Sequence, residues 1–290
     1  MNPNQPSSTA NSLPGQVESD KLERLLGSIG IPPRPSLLVE LDKELKKGDP
    51  DTRVVANLVG RDVGISAAIL KSLNSPLFAL RSKVTGIPHA IQLLGLKNVR
   101  SVVTGLVVRQ SLGAGASFER FWDSAEKVAS INAYLCSVLP RAPREEAYMF
   151  GLFRDCGIPL LMQRFPDYKE TLKIASADNR SLAAVEDERH GTSHTVVGYM
   201  VGRSWGLPDA VCDAIRHHHD MEMLEADEFN EPLTRTLVCV NFVAEHVNDA
   251  LLRMRQDPLW ERYGGLVLDY LGISEAEYRE IEDGVFEMCG

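Results

Sequence analysis

A chain of 290 residues with 44% apolar and 24% charged side chains has the balance of a globular protein that builds a full core. Its net charge of −9 works against a nucleic-acid-binding surface, which needs a basic excess to meet phosphates. The uncharged apolar stretch over residues 84–96 contains Pro88, His89 and Gln92 and is too short and too polar to span a bilayer. The N-terminus shows no basic cluster followed by an apolar run, so no secretory signal is expected. Five cysteines, Cys136, Cys156, Cys212, Cys239 and Cys289, form no C-x-x-C pair and suit free thiols in a reducing compartment. The expectation is a cytoplasmic protein with neither nucleic acid nor membrane as partner.

Residues 1–18 are rich in Pro, Ser, Asn and Gly and are predicted to be a disordered lead. A helical subdomain is predicted over 19–112. It begins with Leu22, Leu25, Leu26 and Ile29 at helical spacing, followed by the extended segment Ile31-Pro32-Pro33-Arg34-Pro35. A helix carrying Leu37, Leu38, Leu41 and Leu45 ends at Gly48 and Pro50. Asp51 or Thr52 caps the next, with Val54, Val55, Leu58 and Val59 on its face. A third helix runs from about Gly64 to Leu73 and stops at Asn74-Ser75-Pro76. Pro88 opens a fourth that Gly95 ends. Leu96, Val99, Val102, Val103, Leu106 and Val107 do not alternate, so this valine-rich run is read as a fifth helix and not as a strand.

Gly113-Ala114-Gly115-Ala116 marks an internal boundary, and a second helical unit is predicted over 117–221. Phe118 to Val138 reads as one long helix ended by Pro140, and Pro143 suits the first position of a helix through Ala147, Phe150 and Phe153. Another helix begins near Ile158-Pro159. Ser181 caps one that reaches Arg189, and Gly191 separates it from a helix starting at Thr192 or Ser193. On that helix Gly198 and Gly202 permit a neighbour to come close. Trp205-Gly206-Leu207-Pro208 closes it and opens the next, which carries Val211, Cys212 and Ile215. The acidic run from Glu222 to Glu231 is predicted to be a solvated linker, and a helical extension over 231–290 ends with the capping-box pattern Ser274-Glu275-Ala276-Glu277. Helix follows helix throughout, so the fold class is all-α.

The chemistry concentrates in one stretch. Five of the seven histidines, His190, His194, His217, His218 and His219, fall between Asp187 and Asp220. Imidazole is the commonest metal ligand and titrates nearest neutral pH, so a metal centre and a packed, hydrogen-bonded interior are the two readings. Trp122 and Trp205 are expected in the core, and Cys156 is expected to be a small buried hydrophobe without a histidine base beside it.

Six motifs in order carry a resemblance. They are Ile31–Pro35, Ile69-Leu70-Lys71-Ser72-Leu73-Asn74-Ser75, Ala90-Ile91-Gln92-Leu93-Leu94-Gly95-Leu96, Gly191-Thr192-Ser193-His194, Trp205–Pro208 and Ala214-Ile215-Arg216-His217-His218-His219. Over residues 22–250 the chain resembles the HDOD domain, an all-helical signalling relative of the HD and HD-GYP metal-dependent phosphohydrolases. The resemblance implies that Gly151-Leu152-Phe153-Arg154-Asp155-Cys156-Gly157 stands where active enzymes carry a His-Asp pair, with Arg154 in place of the ligand histidine. An earlier ligand histidine is implied on the helix from Phe118, yet no histidine lies between His89 and His190. His194 resembles the next HD-GYP histidine, and His218-His219-Asp220 resembles its His-His-Glu.

Arginine cannot ligate a cation, and its fixed charge opposes an ion beside Asp155. The expected site is therefore a vestigial cleft of Arg154, Asp155, His194, His218 and His219, with no catalytic residue, no cofactor and no resident metal. If any ion binds, the expected ligands are Asp155, His194, His218 and His219. The expected function is a non-enzymatic regulatory module working through contacts with signalling proteins and gated by a small-molecule ligand in the cleft. A divergent metal-dependent phosphohydrolase acting on a nucleotide or cyclic dinucleotide is the alternative.

Overall fold

The computed structural model describes residues 27–74, 82–113, 118–139, 141–177, 180–226, 231–253 and 258–289. All regular structure among them is helical. The predicted lead over 1–18, most of the helix from Leu22, the stop at Ser75-Pro76, residues 114–116 of the boundary and Pro140 lie outside the described residues.

Within the stretch predicted as the first unit, the described residues hold α1 (Ser36–Leu45), α2 (Thr52–Gly60), α3 (Val63–Leu73) and α4 (Ile87–Leu112). Asp51 caps α2 by accepting a hydrogen bond from Arg53 N at 2.8 Å, and Asp62 caps α3 through Ile65 N at 2.9 Å. Helix α4 joins the two helices expected on either side of Gly95. That glycine has φ 78° and breaks the helix, a conformation that suits a residue without Cβ. By length and composition alone Ile87–Leu112 could cross a membrane, but half of its most apolar window is buried among the other helices, as for a core helix.

The stretch predicted as the second unit holds α5 (Glu119–Val138), α6 (Arg144–Phe153), α7 (Gly157–Arg164), α8 (Tyr168–Ala177), α9 (Leu182–His190), α10 (His194–Trp205) and α11 (Asp209–His217). After it come α12 (Met221–Ala226), α13 (Pro232–Arg253), α14 (Pro258–Leu271) and α15 (Glu275–Cys289). Helix α5 packs along α6, α10 along α11, and α13 closes over α5, α6 and α11; α4 against α6 joins the first unit to the second.

Small residues set these crossings. A Cβ on Gly151 would stand 2.7 Å from Ala129 Cα, so α5 and α6 meet backbone to backbone. A Cβ on Gly198 would lie 2.9 Å from Ile215, and one on Gly202 would lie 3.1 Å from the Cys212 sulfur, so the close neighbour expected at those glycines is α11. Trp122 and Trp205 are core residues, and Trp205 Nε1 donates to the Pro32 carbonyl at 3.0 Å, tying the extended segment to the end of α10. Ser274 and Glu277 form the expected capping box, with Ser274 N donating to Glu277 at 2.8 Å.

Three helices depart from the sequence reading. The acidic run read as a linker contains α12, because Met221 and Leu224 bury their side chains while the glutamates face outward; residues 227–230 lie outside the described residues. Helix α8 buries Tyr168, Thr171 and Ala175, a face too polar and too small to stand out in a hydrophobic pattern. Helix α14 buries Tyr263, Val267 and Leu271, four residues apart, and its pattern was readable. At α6, Pro143 is the residue before the helix and not its first turn.

Asp42 on α1 pairs with both Arg34 and Arg100, with 2.5 Å from Arg100 Nε, and so links the extended segment, α1 and α4. Burial pushes this carboxyl up, but hydrogen bonds and charge from Arg100 and then Arg34 bring it below its ordinary value of 3.8. A carboxylate with a depressed folded pKa contributes stability above the unfolded value, lost as pH falls through the folded one. Asp42→Asn is therefore expected to lower the melting temperature at pH 7 and to narrow the gap to wild type below about pH 4. Thermal denaturation across pH 2–7 checks this, and an unchanged gap throughout would exclude the linkage.

Candidate functional site

The turn between α6 and α7 carries Arg154, Asp155 and Cys156. It is held tight by Cys156 N donating to the Phe153 carbonyl and Ile158 N to the Asp155 carbonyl, both at 2.9 Å. Gly157 then lies directly against the start of α10: a Cβ there would stand 2.2 Å from the His194 carbonyl oxygen. That contact brings Asp155 beside His194. The end of α11 supplies His218 and His219, so three chain segments converge.

The sequence-predicted residues Asp155, His194, His218 and His219 come together, each offering one ligand atom, with all four atoms within 4.8 Å of one another. Asp155 Oδ1 is 3.5 Å from Nε2 of both His194 and His218, and His194 Nε2 is 3.1 Å from His219 Nε2. The other oxygen, Oδ2, faces Arg154 at 3.3 Å. Arg154 thus stands behind Asp155 and does not fill the space between the imidazoles. It is buried, with Nε on Glu245 at 2.5 Å and Nη1 on the Gly151 carbonyl at 2.5 Å.

Hydrogen bonds fix two tautomers. His218 Nδ1 donates to the Ile215 carbonyl at 2.9 Å, so in the neutral ring Nε2 carries the lone pair; that atom is buried with no hydrogen-bond partner. His194 Nδ1 donates to Glu186 Oε2 at 2.6 Å, and His194 N donates to the same oxygen at 2.8 Å. The Tyr168 hydroxyl donates to the other Glu186 oxygen. Burial and the Glu186 charge push the Tyr168 pKa up, so it remains a donor. Glu186 is fully buried, and three donors satisfy its charge.

Burial raises the Asp155 carboxyl, but the Arg154 guanidinium and then His218 and His194 hold it well below the ordinary range, so it is ionised. Burial followed by the nearby His218 and His194 lowers His219 well below the usual imidazole value, leaving it neutral at pH 7. Burial would lower His194 too, but Glu186 and then Asp155 outweigh it and raise its pKa.

The remaining candidates lie elsewhere. His190 stacks on Phe165 and bonds the Thr171 hydroxyl at 2.8 Å, and His217 pairs with Asp220 at 2.8 Å; both are partly exposed. Cys156 is buried, which pushes its thiol pKa up, as expected of an inert hydrophobe. Glu186, Tyr168 and Glu245 were missed. A glutamate one position from the buried Val185, eight residues before His194, was the one available signal for Glu186.

Residues 31–221 match the HDOD domain family. The chain belongs to the HDOD family. Among curated relatives, an uncharacterized protein of Treponema pallidum (strain Nichols) is 24% identical to this HDOD chain over 73% of its length, and uncharacterized protein YuxH of Bacillus subtilis (strain 168) is 33% identical over 39%. The matched regions are 41% and 28% of those relatives' own lengths, so the HDOD chain spans less than half of each. Among solved structures, a "Putative phosphohydrolase" from Shewanella amazonensis SB2B superposes with TM-score 0.69 at 21% identity, covering 91% of this chain and 93% of that one. An HDOD domain protein with unknown function from Geobacter sulfurreducens gives 0.66 at 20%, covering 92% and 99%. A "Putative signal transduction protein" from Marinobacter aquaeolei VT8 gives 0.69 at 18%, covering 97% of this chain and 66% of that one. At these identities the likeness concerns the shared HDOD fold.

The HD relationship raises the fit of a two-ion centre. A carboxylate that bridges two ions offers one oxygen to each, and Asp155 has committed Oδ2 to the Arg154 guanidinium. A second ion on that side would meet a buried cation instead of an imidazole. The residues present therefore do not fit two ions, but the four converging donor atoms fit one.

Proposed function

We propose that this HDOD chain is a non-enzymatic regulatory module that acts through contacts with signalling proteins and is gated at the cleft between α6, α10 and α11. The observation that carries this reading is Arg154, a buried fixed cation with three polar partners where a two-ion hydrolytic centre needs a neutral ligand. Hydrolysis of a phosphate ester by two ions relies on stabilising both the attacking and the leaving oxygen. With one side of Asp155 closed by Arg154, that clamp cannot assemble. Around Asp155, binding can alter how three helices pack without any bond being broken.

The test is turnover. Purified chain supplied with Mn(II), Fe(II) or Ni(II) and offered nucleoside phosphates and cyclic dinucleotides is expected to release no product above protein-free controls. Product formation that disappears in Asp155→Ala would overturn the proposal and establish the phosphohydrolase alternative.

A further inference from the structure

We propose that Asp155 Oδ1 and the Nε2 atoms of His194, His218 and His219 form a closed site for one divalent transition-metal ion of the zinc class, which staples the α6–α7 turn, α10 and the end of α11. This deepens the reading of the cleft as the gated part of the module, by naming the chemistry of what binds there.

His218 Nε2 is buried, carries a lone pair because Nδ1 is committed to the Ile215 carbonyl, and has no hydrogen-bond partner. A buried lone pair without a partner is costly unless a proton or a cation meets it. His194 Nε2 and His219 Nε2 face each other at 3.1 Å, a separation that one shared proton bridges as a hydrogen bond. One proton can relieve one such pair at a time. A single cation relieves all four atoms together.

Spacing agrees. Ligand nitrogens about 2.0–2.1 Å from a tetrahedral ion lie roughly 3.3 Å from one another. Three of the six separations are close to this, 3.1 Å for His194–His219 and 3.5 Å for Asp155 with each of His194 and His218, and all six lie within 4.8 Å, so the remaining side chains must draw in to close on an ion. Three imidazoles and one carboxylate suit zinc, cobalt or nickel; magnesium and calcium take all-oxygen sets. Four protein donors complete a tetrahedron, the arrangement of structural rather than catalytic zinc.

Charge agrees as well. Asp155 and the buried Glu186 supply two negative charges for a divalent ion, and Arg154 is balanced by Glu245. Glu186, held by the Tyr168 hydroxyl, is the positioning residue: it holds the proton on His194 Nδ1 and leaves Nε2 to face the ion.

Full-length chain stripped by chelator dialysis and titrated with Co(II), then displaced by Zn(II), decides the matter. One equivalent of cobalt is expected to bind with the intense visible absorption of a tetrahedral complex, and zinc is expected to raise the melting temperature. His219→Ala, at the more accessible ligand and so least disruptive to the fold, is expected to abolish the absorption and the zinc-induced shift. Glu186→Gln is expected to weaken binding by about 10- to 100-fold while circular dichroism stays helical. Absence of saturable binding, a weak octahedral spectrum, or binding untouched in His219→Ala would overturn the site. None of these outcomes bears on turnover, so a failed ion site leaves the regulatory reading standing, and hydrolysis would sink that reading whether or not cobalt binds.

Discussion

Glu186→Ala is expected to cost roughly 3–5 kcal/mol, the scale for breaking a buried charge network by removing one partner. The carboxylate is fully buried and receives the Tyr168 hydroxyl, the His194 amide and the His194 ring. Alanine would orphan three donors at once in a place water does not reach, and each buried unsatisfied donor costs about 1–3 kcal/mol. It would also uncap α10, whose Ser193 provides no side-chain cap of its own. Such a loss is a large fraction of the ~5–15 kcal/mol by which a typical domain is stable. Urea denaturation followed by circular dichroism measures it. A midpoint equal to wild type would mean that the network adds nothing, and the orientation of His194 would then need another cause.

Gly157→Ala is expected to destabilise by about 1–3 kcal/mol, the usual range for forcing extra atoms into a packed site. The sign is informative, because helix propensity alone predicts the opposite: alanine within a helix is favoured over glycine by up to about 1 kcal/mol. Here the added carbon would stand 2.2 Å from the His194 carbonyl oxygen, and that atom is backbone and has no rotamer to escape into. Helix α10 must move away from the α6–α7 turn, carrying His194 from Asp155. The variant should therefore unfold at lower urea and also lose cobalt affinity, a pairing not expected of overpacking remote from the cluster. Stability equal to or above wild type would show that the two segments are not pressed together.

Much of this molecule was legible in the chain. Leucine and valine ridges announced the helices of the first unit, and non-alternating valines distinguished the long α4 from a strand. Gly198 and Gly202 pointed to a close neighbour for α10, though not to α11 in particular. The four convergent side chains were named from their place in a family pattern, not from spacing alone, since Asp155 and His218 are far apart in the sequence. Side-chain direction was not legible. Whether Arg154 filled the space among the imidazoles or stood behind Asp155 depended on Glu245, a residue on α13 that no local pattern links to it. Nor was Glu186, because a buried glutamate reads as a surface residue until its three donors are found. Helices α8 and α12 were hidden for the same kind of reason: their buried faces rest on Thr171 and Ala175, or on two apolar residues among acids.

Arg154 closes one side of Asp155, and the number of ions held at saturation tests that most directly. Equilibrium dialysis of the full chain against excess Zn(II) or Mn(II), followed by elemental analysis, is predicted to give one tightly held ion per chain. Two ions per chain, both lost in Asp155→Ala, would contradict it and restore the cleft to a two-ion centre.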